Sequence, residues 1–101
     1  MSRNRLEEDV MIGIMFAAAI TAQQIEQCNS VEQYALAAAK AHQRGVPVSE
    51  LMKHTAGDEM LQAIIIDATS MTRYSTTEYQ ERESRKFASS IANLCFKQIA
   101  K

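Results

Sequence analysis

Apolar residues along this chain form one nearly uninterrupted run near the start. Beyond it they recur three and four residues apart, the spacing of a helix face. The run covers residues 10–20 and includes Met11, Ile12, Ile14, Met15, Phe16, Ala17, Ala18 and Ala19. Further along, Tyr34, Ala35, Ala38 and His42 share one face. Ser30 and Gln33 make a capping box ahead of them, because the hydroxyl can accept from the Gln33 N–H while the glutamine reaches back. A helix is therefore expected from Val31, closed at Gly45, where glycine tolerates a left-handed backbone. Val46, Pro47 and Val48 break the chain, and Ser49 caps a short helix over 50–55 that Gly57 ends. Asp58 is the natural N-cap of a third helix over 59–71. Its stripe is Met60, Leu61, Ile64, Ile65, Ala68 and Met71, widened by Ile66. After a connector over 72–75, Ser75 with Glu78 offers a capping box for the longest helix. There Tyr79, Phe87, Ile91, Leu94, Cys95 and Ile99 form an apolar face opposite Glu81, Arg82, Glu83, Arg85 and Lys86.

Composition supports this reading. The chain has 101 residues, the size of one domain, with three glycines, one proline and no tryptophan. Helix-favouring Ala, Gln, Glu, Lys and Met are abundant. The expected fold is all-α: a small orthogonal bundle of about four helices in residues 23–101, preceded by residues 1–22 as a signal segment or a further apolar helix. Eleven basic and twelve acidic residues nearly cancel, without a block of like charge. Nothing resembles the clustered basic face that duplex DNA requires, so no nucleic-acid partner is expected.

The run over 10–20 is too short to span a bilayer, so no stable membrane span is expected. Its length suits the apolar core of a secretion signal. Arg3 and Arg5 precede it, and the small residues at its end allow cleavage before Ile20 or after Ala22. Against that, Glu7, Glu8 and Asp9 place negative charge where a signal is normally positive. The alternative is one long amphipathic or buried helix over 6–27 of a cytoplasmic protein, its acids favoured at the N-terminus by the helix dipole. The two cysteines, Cys28 and Cys95, are either two buried thiols or a disulfide, and their spacing is not that of a CxxC redox motif. A cross-link would suit an exported chain, since a small core leaves stability marginal.

A leading Cys28, the stretch Gln43-Arg44-Gly45-Val46 before a short Ser-capped helix, and an Ile-rich helix with Ala68 form the first half of a recognisable pattern. Arg73-Tyr74 with a following Ser/Thr cap, Phe87 and a trailing Cys95 complete it. In these positions, over about two thirds of its length, the chain resembles a group of small exported α-helical proteins of unknown function from proteobacteria and their phages. The resemblance implies export to the periplasm or beyond, and a Cys28–Cys95 disulfide. It implies no activity.

Candidate chemistry is sparse. His42 and His54 lack the spacing of a metal site, and His42 reads as a residue at a helix boundary. Glu81 and Glu83 do not share a helix face, and Asp67, beside an apolar stripe, could pair with a neighbouring cation. No nucleophile elbow or phosphate-binding loop is present. No catalytic residue, metal or cofactor is therefore expected. Arg73 and Tyr74 are candidate partner-binding residues, because they place an arginine and an aromatic on a connector and both types are enriched at interface hot spots. The plainer reading packs Tyr74 on the core edge and leaves Arg73 solvated. The function expected is a small exported, non-catalytic domain that binds another protein, in an inhibitor, immunity, exclusion or stress role. The alternative is a cytoplasmic interaction module or phage-encoded inhibitor acting as an oligomer, for which a homodimer is one form.

Overall fold

The structure, a computed structural model, describes residues 19–100. It is all-α, with four helices in the described residues: α1 (Ala22–Gln43), α2 (Val48–Met52), α3 (Glu59–Ala68) and α4 (Thr77–Ala100). Most of the apolar run lies outside those residues.

Helix α1 starts well ahead of Val31. Its N-cap is Thr21, whose hydroxyl accepts from the Gln24 N–H at 3.1 Å while Gln24 Oε1 accepts from the Thr21 N–H at 3.0 Å. The same Ser/Thr-x-x-Gln pattern recurs at Ser30, which lies inside the helix instead of opening it. An N-cap is a local effect of about 1 kcal/mol. Here the helix continues because Cys28 and Ala35, on either side of Ser30, are both fully buried. The extended backbone at Thr21 (ψ 162°) also breaks any continuous helix over 6–27.

The other end of α1 closes as expected. Gly45 takes φ +88°, the Gly45 N–H donates to the His42 carbonyl at 2.9 Å and the Val46 N–H to the Ala41 carbonyl at 3.0 Å. This is the paired bonding of a Schellman motif, which uses two otherwise orphaned carbonyls. The Arg73 guanidinium also lies only 2.9 Å from where a Cβ on Gly45 would sit.

The remaining boundaries shift by a few residues. The short helix is Val48–Met52 with Pro47 as its N-cap, so Ser49 lies within it. Asp58 caps α3 as expected, accepting from the Met60 and Leu61 N–H groups at 2.9 and 3.1 Å. Helix α3 stops at Ala68, short of Met71, where the Thr69 and Ser70 hydroxyls donate to the Ile65 and Ile66 carbonyls. At α4 it is Thr76, not Ser75, that serves the first turn, accepting from the Tyr79 N–H at 3.3 Å.

Helices α1 and α4 form the principal pair. They run antiparallel, since Cys28 joins Cys95 at one end and Lys40 pairs with Glu81 toward the other. Their buried positions are mostly small: Ala35, Ala38, Ala39 and Ala41 on α1, and Ser84, Ala88 and Ala92 on α4. Small side chains let two helix backbones approach closely. Helix α3 packs mainly on α1. Ile64 joins Ala35, Ala88 and Ile91 in one core cluster, Ile65 joins Ala38 and Ala68 in a second, and half-buried Phe87 packs against both. Burying an isoleucine contributes about 2 kcal/mol. Helix α2 adds Leu51 and Met52 to the second cluster.

The connector between α3 and α4 is pinned by side chains from both long helices. The Met71 carbonyl accepts from His42 Nε2 at 2.8 Å, so that nitrogen carries the proton. Gln43, only 3% exposed, donates from Nε2 to the Thr72 carbonyl at 2.8 Å and accepts at Oε1 from the Tyr74 N–H at 2.9 Å. Gln80 Nε2 donates to the Tyr74 carbonyl at 2.6 Å.

Candidate functional site: an apolar groove beside the disulfide

Helix α3 meets α4 through Ile64, Ile65 and Phe87, and beyond that contact a channel opens between the two helices at the end where the cysteines meet. Its floor is Val31, Ile64 and Ile91. Met60, Ala63 and Asp67 form the α3 wall, and Leu94, Cys95 and Ile99 form the α4 wall. Gln27 and Ser30 of α1 and Gln98 of α4 give it a polar edge. The volume is about 660 Å³, and the exposed lining is mostly apolar.

Two wall residues that periodicity places on core faces are exposed here. Met60 is 51% and Leu94 60% exposed. Large apolar side chains this open to water, gathered around one concavity, mark an interaction surface more strongly than isolated ones do. The sequence signal was the width of the α3 stripe: ten residues carrying Met60, Leu61, Ile64, Ile65, Ile66 and Ala68 offer more apolar surface than one neighbouring helix covers.

The groove is anchored by a covalent bond. Cys28 and Cys95 form a disulfide with a Cα separation of 5.6 Å, inside the ordinary range. Cys28 is buried within α1 rather than ahead of a helix, and Cys95 contributes to the groove wall.

Arg73 and Tyr74 lie at the other end of α1, roughly 20 Å away along its axis. Arg73 is exposed, with its guanidinium against Gly45. Half-buried Tyr74 stacks on Tyr79 with ring centroids 6.0 Å apart, and the Arg82 guanidinium covers Tyr79 at 4.4 Å. The neighbouring Tyr79 hydroxyl, with Glu83 second, holds the Arg82 pKa above its ordinary value. The groove and this connector share no residue.

Titratable groups elsewhere serve the scaffold. Glu81 accepts from Lys40 across the helix pair at 3.2 Å and from Arg85 on its own helix at 2.7 Å. The Lys40 hydrogen bond, followed by the nearby positive charge of both cations, holds its carboxyl below the ordinary value. Burial, with the Asp58 charge second, pushes the Tyr34 phenol up. His54 is exposed. Among the described residues no group of three or more His, Cys, Asp or Glu side chains is placed to hold a metal ion, and no helix is long and apolar enough to cross a membrane. Comparison of the chain with protein-family models, with curated proteins and with solved structures returned no match.

Proposed function

We propose that this chain is an exported, non-catalytic helical domain that binds another protein through the groove between α3 and α4. The observation that carries the reading is the exposure of Met60 and Leu94 around a mostly apolar channel. A surface of this kind gains free energy when a partner covers it, by about 25 cal/mol per Å² of apolar area removed from water.

The disulfide supports an oxidising compartment, since such bonds are rare where thiols are kept reduced. The capping box supports a processing point. Cleavage before Ile20 leaves Thr21 in place to close α1, whereas cleavage after Ala22 removes the cap and the first helical residue. The mature chain in this reading begins at Ile20. A cytoplasmic module using a helix over 6–27 has less support, because Thr21 interrupts that helix and the disulfide is out of place there.

The test is a photo-crosslinking residue at position 94 in the natively expressed protein, with position 53 as an exposed control remote from the groove. The expected result is a discrete protein adduct from position 94 alone, on a chain whose intact mass begins at Ile20 and whose thiols alkylate only after reduction. Equal labelling from both positions removes the groove from the account. A full-length mass with free thiols removes export.

A further inference from the structure

The groove is chemically lopsided. Among the described residues its only charged lining group is Asp67. Helix α3 carries no basic residue at all, and its N-cap is Asp58 with Glu59 in the first turn. Among the described residues no cation forms an ion pair with Asp67, although Glu50, Glu81 and Glu83 all have such partners. An apolar occupant that covers the groove must therefore desolvate a carboxylate, which costs several kcal/mol unless a donor replaces the lost water.

The walls also select the occupant's backbone. They are helices whose main-chain groups are mostly paired within the helix, and the described residues contain no sheet edge, so an extended peptide would find no main-chain ladder to join. A helix satisfies its own backbone and presents a stripe of side chains three and four apart. The openness of the channel, with two wall residues more than half exposed, argues against a small ligand, which a pocket usually encloses on most sides.

Resting on the groove as the binding site, we infer that its occupant is an amphipathic helix of a partner protein, with an apolar stripe seated on Val31, Ile64 and Ile91 and one lysine or arginine paired with Asp67. The polar edge formed by Gln27, Ser30 and Gln98 receives the borders of that stripe. The carboxylate acts as a filter. A helix with the same stripe and no basic residue leaves Asp67 buried and unpaired, and one with an acid at that position is repelled.

A displayed library of helix-forming peptides, selected on the oxidised full chain, tests this. Enriched peptides are expected to share an apolar stripe and one basic position at fixed offset from it. Leu94→Glu should abolish their binding. Asp67→Asn should weaken the basic peptides about tenfold and tighten binding of their neutral variants, which no longer bury an unpaired charge. Both substitutions are at exposed positions, and an unchanged thermal midpoint shows that the fold persists. An enriched stripe with no basic preference, lost on Leu94→Glu, overturns the charged occupant and leaves the groove standing. Peptides indifferent to Leu94→Glu, or no enrichment, overturn both.

Discussion

Ser84 occupies a demanding position. It is fully buried on α4, and its hydroxyl has no hydrogen-bond partner among the described residues. An unsatisfied buried hydroxyl carries a desolvation penalty with no return, and alanine is also the better helix former. Ser84→Ala should therefore stabilise the domain by about 1 kcal/mol, raising Tm by about 4–8 °C for a domain of this size. Thermal unfolding followed by circular dichroism reads this directly, and a lowered Tm would show that the hydroxyl has a partner. Gln43 is the opposite case, a buried polar side chain with both ends used, one on Thr72 and one on Tyr74. Neither role was legible in the sequence. A serine in a charged stretch and a glutamine at a helix end look like surface residues until the connector folds back over α1.

At the scale of elements, legibility followed how local the signal was. Asp58 and Gly45 announced an end of α3 and of α1 because each acts on its own neighbours, and both act as expected. The start of α1 was ambiguous in principle, since Thr21 and Ser30 carry the same capping pattern and only burial of Cys28 and Ala35 decides between them. The α3 stripe was readable, but the gap between α3 and α4 depends on tertiary packing that periodicity does not encode. The α1–α4 pair also carries a pH dependence. Folding lowers the Glu81 pKa, mainly through Lys40, so between the folded and ordinary values the unfolded chain binds more protons. The stabilisation is complete above the ordinary carboxylate range and disappears as pH falls through the lowered value. Comparing Glu81→Gln with the parent should thus show a stability loss at neutral pH that vanishes in strong acid. A loss independent of pH would assign the effect to packing.

On the scale of the whole molecule, the disulfide sets the stability. The cysteines are 67 residues apart in sequence. On the chain-entropy picture, closing a loop of that span removes about 4 kcal/mol of unfolded-state freedom. That is close to the entire net stability of many small domains. The double substitution Cys28→Ala with Cys95→Ala should lower Tm by roughly 15 °C or more. Unfolding of the parent with and without reductant gives the same comparison, and an unchanged Tm would show that helix packing suffices. Holding the long helices together is otherwise the work of a seam of small residues, among them Ala35, Ala39, Ala88 and Ala92, none of which lines the groove. The seam and the walls of the proposed recognition groove therefore draw on separate residues, while Val31, Ile64 and Ile91 of its floor belong to the core as well. Mutational drift at Met60, Ala63, Leu94 or Gln98 can re-cut the channel while the seam keeps its shape, so a lineage built on this frame is free to change the groove faster than it changes fold.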